Sequence, residues 1–339
     1  MTGADARGAR RYGLTIEQFS RERAEDVARI FCESTAAHRY CGLLTPEIVL
    51  DRLCAPSYFD PAGLLIAYRG GRPVGYAHGT FGKPLAGETH LNYSIGNIRA
   101  LFFPLDDIEA GRLLLEHLLA YLAGRGATDL QGWGSLAGYP FYRGLYLGTE
   151  PVLSTAHAHA IIRLVQAGFS VNQYSIFLTR PMEAPPPAAP ASPPVDLAEA
   201  PLGFATTWDA ETWAGLEPMQ TTAWRGDSQV AQITWALLHD LTPKHGHPVG
   251  SIAALRVDNA CRRQGIAKTL VLEVMRQCYH AGAREIAVAT TQENTGALHT
   301  YYACGFGEIE ILLGFGRAGD GGTGMMDHLA TARAGGERQ

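Results

Sequence analysis

The chain has 339 residues, 46% of them hydrophobic, with 28 Lys+Arg against 33 Asp+Glu and a formal net charge of −5. That length supplies two domains with ordinary cores, and a mildly acidic balance without a basic block excludes wholesale nucleic-acid binding, which needs a broad positive footprint. No apolar run reaches the length of a signal segment or a membrane span, and six scattered cysteines without a Cys-x-x-Cys pair point to a reducing cytoplasm.

In chain order, "MTGADARGAR" is too rich in Gly, Ala and charge to predict a fixed structure. "TIEQFSRERAEDVARIFCESTAAH" and "TPEIVLDRLC" read as two early helices, followed by a hairpin, "LLIAYRGGRPVGYAHGTF". A strand "IRALFF", a helix "GRLLLEHLLAYLAGRGA" and a strand "DLQGWGS" come next. After a longer connection, "AHAHAIIRLVQAGF" is a helix ending at Gly168-Phe169. The aromatic "WGSLAGYPFYRGLY" in that connection either lines a pocket or packs the insertion. Residues 182–196, "MEAPPPAAPASPPVD", form a semi-rigid linker, because prolines fix φ and favour extended chain.

Beyond the linker, "FATTWDAETWAGLEPMQTTAWRGDSQVAQITWALLHDL" reads as strands with Gly/Asp turns and leaves no room for a pair of early helices. "GSIAALRV" is a strand, "GIAKTLVLEVMRQCYHAGA" an amphipathic helix, "EIAVATT" a strand and "NTGALHTYYACGF" a helix closed by Gly305. Residues 317–339 carry no expected structure. The parts 13–181 and 197–316 thus share the order strand, helix, strand, helix. Leu-x-Leu-Glu recurs in both long helices, at Leu113/Leu115/Glu116 and Leu270/Leu272/Glu273. This α/β alternation reads as a duplicated domain.

The stretch "CRRQGIAKTL" carries the first chemical signal. A strand ending at Val257, a turn of Arg262, Arg263, Gln264 and Gly265, and a helix from about Ala267 would aim several free backbone N–H groups at one spot, which attracts phosphate. Gly265 and Ala267 keep side chains out of the way, while Arg262 adds positive potential. The spacing Arg-x-x-Gly-x-Ala is neither a P-loop nor a dinucleotide turn; alone, it is as often an ordinary exposed turn.

With its surroundings, this stretch resembles the GCN5-related N-acetyltransferase (GNAT) family. Arg262, Gly265 and Ala267 match the family's loop. Asn294, Ala297, Tyr301, Gly305 and Phe306 match the spacing of its following helix. The resemblance is close over these motifs and loose over the rest of both halves. It implies two tandem GNAT domains, each a mixed, mostly antiparallel sheet with flanking helices. It also implies acetyl-CoA or another acyl-CoA as cofactor, with the pyrophosphate on the loop (Arg262, Arg263, Gln264, Gly265, Ile266, Ala267, Lys268) and pantetheine along Leu255, Arg256 and Val257. Asn294 would touch cofactor or cap its helix. Tyr301 takes the position from which such enzymes protonate the departing thiolate, a task that suits a neutral phenol; the alternative is a packing residue. Tyr302 points elsewhere on the helix.

In the first half Leu164 stands where Tyr301 does, and His157 where Asn294 does. Every alignment of "FFPLDDIEAGR" with the loop brings in Asp106, Asp107 or Glu109, which repel pyrophosphate. Phe102, Phe103, Gly111 and Arg112 remain as a cofactor site for a structural CoA, and the half otherwise reads as a scaffold. A degenerate half, a linker and an intact half resemble the tandem GNAT layout of which mycothiol synthase is the familiar type. Such tandems also occur in antibiotic clusters, including that for clavulanic acid.

The resemblance leaves two functions. One is an N-acyltransferase acting on a small-molecule amine by direct attack, with its acceptor pocket built between the halves; the other is a non-catalytic acyl-CoA-binding protein. The general base is not legible. Asp240, His239, His245 and His247 lie in the turn "HDLTPKHGHP", where histidines are mostly solvated. "HGH" and "AHAHA" lack a completing ligand set, so no metal is expected. Cys261 and Cys304 near the CoA site suit small hydrophobic roles better than acyl-enzyme formation. A homodimer through an edge strand would be compatible.

Overall fold

Both parts of the chain build the order strand, long helix, strand, helix, strand after an antiparallel start. In this computed structural model, residues 13–85, 87–133, 141–188, 191–192 and 194–318 are described. The first part gives β1 (Leu14–Gln18), α1 (Ala24–Ser34), β2 (Leu64–Arg69), β3 (Arg72–Gly82), β4 (Asn92–Phe102), α2 (Ile108–Gly124), β5 (Asp129–Gly132), β6 (Leu153–Ser154), α3 (Ala158–Gln166) and β7 (Ser170–Pro181). The second gives β8 (Asp196–Pro201), β9 (Met219–Arg225), β10 (Ser228–Leu238), β11 (Val249–Val257), α4 (Ile266–His280), β12 (Glu285–Thr291), α5 (Thr295–Ala303) and β13 (Gly307–Ala318).

Three expectations change. Thr15 to Gln18, read as helix, pairs with β2 as a strand, and the helix starts only at Ala24. The stretch after the linker holds a short helix, Thr207–Glu211, because the Thr206 side chain caps it by accepting from the Asp209 N–H. Arg317 and Ala318, placed in the tail, belong to β13. The expectations for the first ten residues and for 319–339 fall outside the described residues, as do 134–140 of the aromatic stretch.

The strands join in one 13-stranded sheet, ordered β1-β2-β3-β4-β5-β13-β7-β12-β11-β10-β9-β8, with β6 paired to β13. The pairs β4–β5 and β11–β12 are parallel and the other pairings antiparallel. The two parts exchange their last strands. β13 pairs with β5, as Phe315↔Gly132, and β7 pairs with β12, as Val288↔Leu178. At the centre β7 and β13 pair with each other, as Ile311↔Ile176.

Repetition extends to single hydrogen bonds. α3 and α5 each end at a glycine in the left-handed region, Gly168 (φ 85°) and Gly305 (φ 83°), which carries no Cβ penalty there. The following Phe169 and Phe306 N–H groups then reach back to Leu164 O (3.0 Å) and Tyr301 O (3.1 Å). α2 packs one face on the sheet through Ala110, Leu114, Leu118 and Leu122, all fully buried, and each leucine contributes about 2 kcal/mol. α4 does the same in the second part with Leu270, Val271, Val274, Met275 and Cys278. Met182 and Ala191 of the linker join that second core. Among the described residues no helix is long and apolar enough to cross a membrane.

Candidate functional site

β11 leads directly into the loop singled out by its arginines and glycine. Arg263 (φ 61°) and Gly265 (φ 81°) both take left-handed backbone, a conformation that costs a non-glycine residue about 1 kcal/mol or more and clusters at ligand clamps. α4 has no side-chain cap. Its first backbone bond runs from Thr269 N–H to Gly265 O, 2.9 Å, so the amides of Ile266, Ala267 and Lys268 open from the helix mouth. They face a cleft of about 670 Å³ lined by Leu255, Arg256, Val257, Arg262, Arg263, Gly265, Ile266, Ala267, Lys268 and Asn294. No carboxylate lines it among the described residues, so helix dipole and side chains act with one sign.

Gln264 is the exception among the loop residues expected there. Its Nε2 donates to Ala260 O at 3.2 Å, and its backbone O accepts from Ser192 of the linker at 3.1 Å, so it braces the loop from behind. Of the two roles expected for Asn294, the structure shows the cap, accepting from the Ala297 N–H at 3.3 Å; the residue also lines the cleft.

Above the loop, the sheet parts. β11 and β12 are paired only over Gly250–Ile252 and Ile286–Val288, and Leu255 to Val257 keep a partner only in β10. A bulge sits at the fork: Thr234 faces Ala254 and Trp235 faces Ile252, which leaves Ala253 as the extra residue and re-aims its amide. Tyr301 is 3% exposed, in the core with Cys304 and Phe306, its ring 5.5 Å from that of Phe306. Burial pushes its phenol pKa well up, so it stays a neutral donor near pH 7. It does not line the cleft that holds the loop amides. Tyr302 is exposed and donates to Glu308.

The first part keeps the fork and fills it. β4 and β5 pair over Ile95–Ile98 and Asp129–Gly132, and a bulge again falls at the fork, where His78 faces Ala100 and Gly79 faces Ile98. The extra residue is Arg99, 3% exposed, with Nη2 on Pro151 O at 3.4 Å. Tyr146 and His157 pack on Phe102 with ring centroids 5.8 and 5.4 Å away. The loop is five residues here (103–107, between β4 and α2) against eight in the second part (258–265, between β11 and α4). Asp107 caps α2, accepting from the Ala110 N–H at 3.1 Å, and Arg69 holds that carboxylate at 2.8 and 2.6 Å. An internal anion thus occupies the helix mouth. The structure gathers no cradle from Phe102, Phe103, Gly111 and Arg112: both phenylalanines are buried, a Cβ on Gly111 would run into the Phe103 ring, and Arg112 is held by Glu109 and Glu116.

A second cleft, about 390 Å³, opens at the bulge. Ala253, Ala254, Thr234 and Trp213 of the second part line it together with Lys83, Arg143 and Glu150 of the first. Burial raises the Glu150 carboxyl pKa against the pull of Arg143 and Arg99. Sequence reasoning missed this residue, since a lone Glu in a loop of Gly and aromatics carries no spacing signal. Of the base candidates it did consider, Asp240 is paired with Arg52, His245 lies 3.3 Å from Glu285 and His247 accepts from Arg284 N–H at 3.4 Å; His239 is exposed. None of the four lines either cleft. Cys304 is buried, its thiol pKa pushed up to about 11 by desolvation, whereas Cys261 lines the loop cleft. Among the described residues no three His, Cys, Asp or Glu side chains form a metal cluster.

Residues 192–306 match the acetyltransferase (GNAT) family. A mycothiol acetyltransferase of Gordonia bronchialis is 32% identical over 76 residues, which span 22% of this chain and 25% of that protein. Among solved structures, a GCN5-related N-acetyltransferase from Sphaerobacter thermophilus has a TM-score of 0.63 at 14% identity, covering 90% of this chain and 95% of its own. A tandem GNAT protein from the clavulanic acid biosynthesis pathway has a TM-score of 0.64 at 13% identity, covering 91% and 100%. Both likenesses extend over the two parts and establish the fold: a mixed, mostly antiparallel sheet with flanking helices.

Proposed function

We propose that this chain, whose residues 192–306 match the GNAT family, is an acyl-CoA-dependent N-acyltransferase acting on a small-molecule amine. The observation that carries this reading is the uncapped mouth of α4, with Arg262, Arg263 and Lys268 around it and, among the described residues, no carboxylate in the cleft. The pyrophosphate of acetyl-CoA or another short acyl-CoA binds the amides of Ile266, Ala267 and Lys268. Pantetheine runs along the free edge of Leu255 to Val257 as an added strand, which brings the thioester to the bulge at Ala253.

Transfer is direct. The amine attacks the thioester carbonyl, whose oxygen takes a backbone N–H at the bulge, and Tyr301 protonates the departing thiolate. The part before the linker is a scaffold without a cofactor of its own, since Asp107 and the aromatic packing occupy the equivalent places. Six free cysteines suit a reducing cytoplasm. β8, exposed along its length at one end of the sheet, is the edge on which a homodimer would pair.

The test is thiol release from acetyl-CoA with a panel of primary amines, for the wild type and for Arg262→Glu with Gly265→Glu. Amine-dependent release that the double variant lacks supports the reading. Binding of acetyl-CoA without release for any amine would leave an acyl-CoA-binding protein instead.

A further inference from the structure

We propose that the acceptor amine is received at the seam between the two parts, and that Glu150, from the first part, is the general base for transfer in the second. The inference rests on the acyl-CoA reading and assigns it an acceptor site.

Strand β11 sets the order. Ser251 meets Thr149 of the first part, hydroxyl to hydroxyl, at 3.3 Å. Ala253 and Ala254 then line the cleft that holds Glu150, and Leu255 to Val257 line the cleft that runs to the loop. A thioester that reaches the bulge along the loop cleft therefore meets the pocket of Glu150.

The loop that delivers Glu150 is built for placement. Phe141, Tyr142 and Leu147 all have positive φ, as do Gly144 and Gly148. Non-glycine residues stay there only when their surroundings hold them. Contacts across the seam do so: Arg143 Nε donates to Thr212 O at 3.0 Å, and its guanidinium lies 4.3 Å from the Trp213 ring centroid. A Cβ on Gly144 would meet Leu216 at 2.9 Å.

Glu150 is also the carboxylate with room to act. The other carboxylate in the pocket, Asp209, is held by Lys83 at 2.7 Å and by Thr206. Glu150 has Arg143 at 3.4 Å and a side chain 27% exposed. Arg143, Arg99, Lys83 and Asp209 are the charged groups that face it. Desolvation outweighs the arginines and raises its pKa, which brings it closer to the range where a base works best near neutral pH.

The pocket continues past Lys83, Ala205, Trp208 and Asp209 into a cleft of about 1160 Å³. Tyr58, Phe59, Phe81, Phe141 and Trp208 wall it. Its polar side chains are engaged within the protein: Arg125 pairs with Asp60 at 2.6 Å, Lys83 pairs with Asp209 at 2.7 Å, and His90 Nε2 lies 3.2 Å from Glu88. Thr80, 4% exposed, has no hydrogen-bond partner for Oγ1 among the described residues. Such walls take an uncharged, ring-bearing body. The acceptor class is therefore a primary amine joined to that kind of body, its nitrogen reaching Glu150.

The proton and electron balance closes without another reactant. The ammonium gives one proton to the Glu150 carboxylate, which passes it to solvent. The freed nitrogen bonds to the carbonyl carbon, and the C–S bond breaks with its electron pair on sulfur. The thiolate takes the Tyr301 proton, and the nitrogen's second proton restores the phenol, leaving an amide and free CoA thiol.

Two CoA conjugates test the site by calorimetry, with an S-acetamide joining sulfur to methylamine or to 2-phenylethylamine. The phenylethyl conjugate is expected to bind at least tenfold more tightly. Equal affinities overturn the acceptor site, while failure of both conjugates and of CoA to bind removes the acyl-CoA reading instead. With 2-phenylethylamine as acceptor, Glu150→Gln is expected to lower kcat/KM by about 100-fold or more at unchanged acetyl-CoA affinity. The fall in wild-type rate as pH drops through the raised Glu150 pKa should be missing from the variant. An unchanged rate and pH profile in Glu150→Gln, or a wild type inert toward an amine whose conjugate it binds, overturns the role of Glu150.

Discussion

The hydroxyls of Thr149 and Ser251 face each other at 3.3 Å inside the protein, one from each part of the chain, both nearly without solvent contact. Ser251→Ala leaves Thr149 Oγ1 unpaired and is expected to cost about 1–2 kcal/mol in denaturant unfolding. Thr149→Val with Ser251→Ala removes both partners and should cost less than the sum of the single changes. Strict additivity would mean that the two groups do not interact.

Strand exchange makes the two parts depend on each other. β13 stands between β5 and β7, so a fragment ending before residue 196 lacks the strand that covers the β5 edge. Expressed alone it should fail to give a cooperative unfolding transition, and co-expression with residues 196–339 should restore one. A fragment that unfolds cooperatively by itself would contradict the exchanged pairing.

Tyr301 sits in the core with its phenol neutral. Tyr301→Phe keeps the packing and should change stability by less than about 1 kcal/mol. Amine-dependent thiol release should fall by roughly 10²-fold if the hydroxyl protonates sulfur, with acetyl-CoA affinity unchanged. Full activity in the variant removes Tyr301 from the transfer step.

At the mouth of α2, hydrogen bonds from Arg69 hold the Asp107 carboxyl below the usual aspartate range. A depressed folded-state pKa stabilises the protein above the unfolded value, and the contribution is lost as pH falls through the folded one. Asp107→Asn should therefore be less stable than the wild type at neutral pH, with the gap closing in acid. A gap that stays constant with pH would show that the Arg69 pairing contributes nothing.

The second part was largely legible from its residues because its signals are local. Arg262, Gly265 and Ala267 lie in one turn, and Asn294, Tyr301 and Gly305 on one helix and its cap. The hairpin of β2 and β3 was legible for the same reason. The strand exchange was not, since nothing in β7 or β13 specifies whether its neighbour is β5 or β12. In the first part the charge change at Asp107 could be read, whereas its use as a cap with Arg69 as counter-ion depends on Arg69 arriving from β2. Glu150 was hidden because its meaning comes from Ala253 and Trp213, about 60 to 100 positions away in the sequence.

The most direct test of the account is native mass spectrometry of the full chain with acetyl-CoA, for the wild type and for Arg262→Glu with Gly265→Glu. One acetyl-CoA per chain is predicted, absent from the variant, because α4 presents an uncapped mouth at the loop cleft while Asp107 closes that of α2, its counterpart in the first part. Two acetyl-CoA molecules on the wild type, or one retained by the variant, would contradict the assignment of the site to the second part.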